Sequence, residues 1–130
     1  MMLNVGTAIR EITPEPGSRM AAFPRGPERV PRRAVGVLDA LTARALALET
    51  ANGQALICST DLCILRAVSV RRIRERVVAS LPEVAAERIA VAVTHTHSGA
   101  ETSFLFGAKP DDPEVARIEE RIAEALAGAW

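Results

Sequence analysis

Ile89-Ala90-Val91-Ala92-Val93-Thr94-His95-Thr96-His97-Ser98-Gly99 is the stretch on which the reading of this chain turns. Its first five residues are an apolar run suited to a short buried strand. The rest holds both histidines of the chain, one residue apart. In extended backbone, residues i and i+2 point to the same face. The two imidazoles are therefore expected to converge at the C-terminal end of a central strand, on an open face of the sheet. Imidazole is the commonest protein ligand for zinc. Two histidines do not close a zinc site, because catalytic zinc takes three protein ligands and keeps an open position. A further ligand has to come from a carboxylate, another chain or sequence outside these residues. Thr94, Thr96 and Ser98 offer hydroxyls that can orient an imidazole or a bound water, and Gly99 lets the backbone turn sharply or approach a ligand closely. The competing reading is that the pair only shapes a strand end through hydrogen bonds.

Upstream, Val68 to Leu81 reads as a helix with Val70, Ile73, Val77 and Leu81 as its apolar stripe. Arg71, Arg72, Arg74 and Arg76 fall largely off that stripe and read as a solvated face. Before the helix, Ala55 to Thr60 is an apolar strand ending at Asp61. Two strands joined by a helix are expected to be parallel neighbours, which places Asp61 and His95 at the same end of the sheet. Ligands of α/β sheets bind beyond the carboxyl ends of the strands. Asp61 is thus a candidate neighbour of the histidines, or a cap for the next segment.

Farther out, Leu41 to Thr50 alternates without a cleanly polar face, and Asn52-Gly53 signals a hairpin back into the 55–60 strand. Leu3 to Ile12 reads as a first strand. Residues 14–36, rich in proline and glycine, form a long loop expected to border the site entrance, with Met20 and Phe23 at its mouth. Its Arg25, Arg29, Arg32 and Arg33 either face an anionic group or are solvated. Downstream, Asp112-Pro113-Glu114 opens a second helix with a cap, a first-turn proline and an acidic start. Val115, Ile118, Ile122 and Leu126 form its inner stripe. The fold class expected is α/β, a mixed β-sheet with helices packed on it.

The chain has 130 residues, 48% of them hydrophobic, enough to build one core. Lysine plus arginine equals aspartate plus glutamate, 16 against 16, so bulk attraction to nucleic acid has no basis. With three phenylalanines, one tryptophan and no tyrosine, a base-stacking platform is not expected either. There is no transmembrane run and no secretory signal, so a cytoplasmic location is expected. Cys58 and Cys63 match neither a redox motif nor a zinc knuckle and read as buried, reduced thiols.

Four segments, taken in order, resemble the N-terminal part of the neutral/alkaline, non-lysosomal ceramidase family. Val5-Gly6-Thr7-Ala8-Ile9-Arg10-Glu11-Ile12-Thr13-Pro14 resembles its opening strand. Met20-Ala21-Ala22-Phe23 resembles its Met-x-Gly-aromatic loop, with Ala22 where glycine is usual. Gly36-Val37-Leu38-Asp39-Ala40-Leu41-Thr42-Ala43-Arg44-Ala45 resembles its Gly-x-x-Asp-x-Leu-x-Ala-Arg-Ala segment. Thr94-His95-Thr96-His97-Ser98-Gly99 matches its Thr-His-Thr-His-Ser-Gly motif, with Ala100 where proline usually follows. The resemblance implies a zinc-dependent hydrolase of a linear amide, ceramide being cut to sphingosine and fatty acid. It implies that His95 is a zinc ligand, and that His97 is catalytic, holding substrate or stabilising the developing oxyanion. The partner implied is a small-molecule or lipid amide substrate. The family's other ligands, a second His, a Glu and a Tyr, come from later sequence. Residues 1–130 are therefore expected to be the N-terminal portion of a larger catalytic domain.

Other readings are a non-catalytic or degenerate family member, or a metal-dependent phosphoesterase using His-x-His. Phosphoesterases of that type carry the motif on their first strand, whereas three strands precede it here. The His-x-His-x-Asp-His pattern of metallo-β-lactamase-like hydrolases fails at Gly99 and Ala100. The oligomeric state is not legible.

Overall fold

The computed structural model describes residues 2–27 and 29–130. Four strands form one mixed sheet in the order β1-β2-β3-β4: β1 (Asn4–Glu11), β2 (Thr42–Thr50), β3 (Gly53–Thr60) and β4 (Ile89–Val93). β1–β2 and β2–β3 are antiparallel, and β3–β4 are parallel. Helix α1 (Ala67–Ser80) makes the β3–β4 crossover, and α2 (Pro113–Ala129) follows the histidine segment. The α/β class and every expected element are present.

Ala43, Ala45 and Ala47 of β2, with Gly6 and Ala8 of β1, keep one face of the sheet nearly flat. Helix α2 therefore comes down close, burying Val115, Ile118, Ile122 and Leu126 on Leu56, Cys58 and Ile89. The contact is tightest at Gly6, where a Cβ would overlap the carbonyl oxygen of Ala129. Asp112 caps α2, its Oδ1 accepting from the Glu114 amide at 3.2 Å, with Pro113 in the first turn.

Several expectations need correction. β4 is an edge strand of the described sheet, not a central one. After Val93 the chain leaves for the loop over the strand ends and then for α2 on the sheet face, so no later described residue pairs outside β4. β3 starts at Gly53, earlier than the alternation indicated, because the hairpin turn is Ala51-Asn52. On α1 the residues turned fully inward are Ser69, Ile73 and Val77, leaving Val70 to line a groove on the outer side. Nor is the arginine face simply solvated. Arg76 and Arg72 reach Glu119 of α2 at 3.0 and 3.7 Å, and Arg74 donates twice to the Ile89 carbonyl. Glu119 is 1% exposed, and burying a carboxylate that deeply is costly without cations beside it. No helix of the described residues is long and apolar enough to cross a membrane.

Candidate metal centre

β3 and β4 run parallel, and both chains continue side by side past the last rung of the ladder. The Thr94 amide donates to the Thr60 carbonyl and the His95 amide to the Leu62 carbonyl, each at 3.0 Å. This lacing sets Cys63, just past β3, directly against His95, just past β4. His95 Nδ1 lies 2.8 Å from the Cys63 carbonyl oxygen. A carbonyl only accepts, so Nδ1 is the donor, which in the neutral imidazole leaves the lone pair on Nε2.

His95 and His97 do converge, with ring centroids 4.8 Å apart in an edge-on arrangement. The extended-strand argument does not explain it. His95 has a φ of +64°, a left-handed conformation uncommon for a residue with a Cβ. The chain therefore turns at His95, and the turn brings His97 back beside it. His95 is exposed and His97 half-buried, so neither imidazole belongs to the apolar core. Gly99 lies close to the protein's own chain, where the sequence suggests a sharp turn or a close approach to a ligand. A Cβ there would sit 3.1 Å from the Asp61 carbonyl and 3.3 Å from Leu41.

Cys63 is the site residue that sequence reasoning missed. Its Sγ and one nitrogen each of His95 and His97 lie within 4.8 Å of one another, a donor set able to hold a metal ion. The thiol is 3% exposed and free. Burial raises its pKa, and the negative charge of Glu101 raises it further. The available signal was positional: Cys63 follows one parallel strand as His95 follows its neighbour. Asp61, the carboxylate expected near the histidines, is spent elsewhere. Its Oδ2 accepts from the Thr42 amide at 2.9 Å and the Thr42 hydroxyl at 3.0 Å, and pairs with Arg44 at 3.5 Å. It fastens the start of β2 to the end of β3.

The long loop borders this centre, as expected. Ala21 donates to the Gly99 carbonyl at 3.0 Å, and Met20 bridges to Ala100. Arg32 donates to the carbonyls of Ala21, Ala22 and His97. Its guanidinium is thus occupied by the protein's own backbone instead of an external anion. Arg33 likewise donates to the Gly17 carbonyl, whereas Arg25 and Arg29 are exposed. Phe23, 66% exposed, lies against His97 with centroids 4.8 Å apart. Ala22 and Phe23 have φ of +56° and +46°, which explains why the resembling loop usually has glycine at the position of Ala22.

Beside the histidines lies a cleft of about 360 Å³ lined by Thr13, Pro14, Met20, Val37, Leu38, Leu41, Thr96 and Ser98. All four segments that carry the family resemblance contribute to it. A larger groove, about 1010 Å³, runs along α1, and neither histidine lines either one.

No protein-family model matches the chain, and no curated protein matches it in sequence. Solved structures that resemble it include two of ceramidases. Neutral ceramidase from Pseudomonas aeruginosa superposes with a TM-score of 0.77 at 20% identity, over 98% of this chain and 21% of that one. A ceramidase complexed with C2 superposes with a TM-score of 0.72, also at 20% identity, over the same shares. The chain spans about a fifth of the length of these enzymes. At this identity the likeness is one of fold: these residues fold as a part of neutral ceramidase does.

Proposed function

We propose that this chain is the histidine-bearing part of a zinc-dependent hydrolase acting on an amide with a long apolar group, of the kind ceramidases cleave. The observation that carries the reading is the convergence of His95 and His97 at the carboxyl ends of β3 and β4, beside the one cleft shared by all four resembling segments. Among the described residues, Cys63, His95 and His97 bring one nitrogen or sulfur atom each within 4.8 Å of one another, atoms of the kind zinc takes.

When bound, zinc supplies a Lewis acid and lowers the pKa of a bound water to about 7. His95 would hold the ion through Nε2, its ring fixed by the Nδ1–H bond to the Cys63 carbonyl. A ligating histidine tied in this way is held in one tautomer and one orientation. His97, beside it, would donate a ring N–H toward the substrate carbonyl oxygen as negative charge develops there. Phe23 lies against the His97 ring, with centroids 4.8 Å apart. The apolar cleft takes the chain of the substrate. The metal's remaining donors and the rest of the substrate site come from polypeptide beyond these residues, in keeping with the fifth of the ceramidase length spanned here.

The test is hydrolysis of an N-acylsphingosine by the polypeptide carrying this segment, with zinc measured by elemental analysis. His95→Ala is expected to remove both zinc and activity. His97→Ala is expected to lower turnover and leave much of the zinc in place. Equal zinc loss in both variants would overturn this division of roles. The 130 residues alone are expected to cleave no ceramide.

A further inference from the structure

We propose that the free edge of β4 and the groove along α1 form one docking surface, which takes a β-strand and its attached helix from polypeptide of this protein beyond residues 1–130. The proposal shares with the functional reading only that more polypeptide belongs with these residues.

β4 pairs on one side, with β3. The Thr94 amide donates to the Thr60 carbonyl, so in this parallel ladder Ala90, Ala92 and Thr94 turn their main-chain groups toward β3. Ile89, Val91 and Val93 turn theirs outward. Arg74 donates twice to the Ile89 carbonyl. Among the described residues, no strand takes the N–H and C=O groups of Val91 and Val93. Native edge strands are guarded by lysine, proline, an inward charge or a bulge. Ile89-Ala90-Val91-Ala92-Val93 carries no such residue, and its register with β3 runs without a bulge. An unbroken apolar run of this kind is the pattern of a strand inside a parallel sheet.

The groove lies alongside that edge. Leu65, Val70, Val78 and Ala79 line it, with Ala86 from the turn into β4. Arg74, also in its lining, reaches from it to the first residue of β4. Helix α1 has 14 residues, so it offers a flank about 21 Å long. A strand added to the β4 edge brings its connecting helix there, because successive α/β units lay neighbouring helices on one face of a sheet.

The length outside these residues names the occupant. The chain folds as a part of enzymes of which it spans 21%. About four-fifths of such a polypeptide packs around it and covers surfaces that are bare here. A second copy fits less well. Two copies joined at β4 would set Arg71 and Arg74 of one groove against the same residues of the other, and like charges placed together disfavour an interface.

The experiment uses the whole polypeptide that carries this segment. Amide hydrogen exchange is read on the unmodified protein, so it stays decisive where a variant fails to fold. The Val91 and Val93 amides are expected to exchange at least about 100-fold more slowly than unstructured amides, as paired strand amides do. Ala79→Cys probes the groove, and Glu120→Cys on the exposed side of α2 is the control. Maleimide is expected to label the first at least about tenfold more slowly than the second, and both equally once urea unfolds the protein. Neither signal is expected to change with protein concentration. Fast exchange at Val91 and Val93 overturns the strand pairing, and free labelling of Ala79→Cys overturns the helix in the groove. Protection that fades on dilution, with a dimer seen by sedimentation, overturns the proposal in favour of a second copy. Hydrolysis and zinc content enter none of these outcomes, so their failure bears on the functional reading alone.

Discussion

The Nδ1 atom of His95 lies 2.8 Å from the backbone carbonyl oxygen of Cys63. A single contact thus joins the ends of two parallel strands and chooses the tautomer of the exposed imidazole. The partner is a main-chain atom of an ordered segment, so the ring is aimed by the fold itself. The same lacing carries the neighbouring Cys63 thiol to within 4.8 Å of a ring nitrogen of each histidine. In sheets of this kind, groups delivered beyond adjacent strand ends become neighbours whatever their distance in sequence.

Arg32 is expected to be a positioning residue. Its guanidinium joins the carbonyls of Ala21 and Ala22 in the long loop to that of His97. Lysine cannot span the same fork. Arg32→Lys and Arg32→Ala should each cost about 1–3 kcal/mol of stability, as for hydrogen bonds from a charged donor. Amide hydrogen exchange should speed up at residues 20–23 and 96–99, with the α1 and α2 cores unchanged. Uniform loss of protection across the sheet would assign Arg32 to general stability instead.

Gly6 is expected to tolerate no side chain. A Cβ there overlaps the carbonyl oxygen of Ala129, which is backbone and has little freedom to yield. Overpacking of this kind costs about 1–3 kcal/mol. Helix α2 can relieve it only by lifting its last turn, which carries the sole tryptophan. Trp130 Nε1 donates to Glu83 at 2.8 Å, a bond lost with that turn. Gly6→Ala should therefore shift tryptophan emission to the red and lower the urea midpoint together. Unchanged emission would mean that β1 moves instead.

The sequence carried the sheet, both helices and the histidine pair because each rests on a local signal. Those signals are an apolar run, a 3.6-residue stripe, Asn-Gly and a capped Pro-Glu start. What it did not carry depends on the partners of a side chain. Asp61 and Cys63 stand two residues apart past the same strand. The chain's course sends the carboxylate toward Thr42 and the thiol toward His95. Likewise Glu119 sits between Ile118 and Ile122 on α2, and only the packing of α1 shows that Arg72 and Arg76 neutralise it. The left-handed turn at His95 has no local signature either, since histidine shows it only occasionally.

Cys58 gives the fold a pH dependence of known sign. It is fully buried in the core, and loss of hydration pushes its pKa up to about 12 from 9.0. The folded state therefore favours the neutral thiol. The stabilisation is complete below the unfolded thiol's pKa and is lost as pH rises from there toward 12. Across that window the unfolded chain has released a proton that the folded one retains, so stability falls by up to about 1.4 kcal/mol per pH unit. Cys63 adds in the same direction. Urea unfolding between pH 8 and pH 11 should show the decline, and Cys58→Ala should flatten it while lowering stability at pH 8. An equal slope in that variant would trace the decline to other groups.

Met20 and Phe23 are expected to contact the apolar part of the substrate. Phe23 stands open to solvent against His97, and Met20 lines the cleft that also takes Thr96 and Ser98. A structural loop would turn such residues inward, as this one turns Ala21 and Ala22. Burial of each methylene is worth about 0.8 kcal/mol, so losing the apolar wall should hurt more as the acyl chain lengthens. In the active hydrolase, replacing both residues with serine should raise KM for a long-chain amide well above its rise for a short-chain one. Turnover should change less, because neither side chain supplies a proton or a metal ligand. Phe23→Ser alone should also free the His97 ring, so part of its effect should be independent of chain length. Met20→Ser should show only the dependent part. An equal KM penalty for both substrates in the double variant would assign the pair to holding the loop in place.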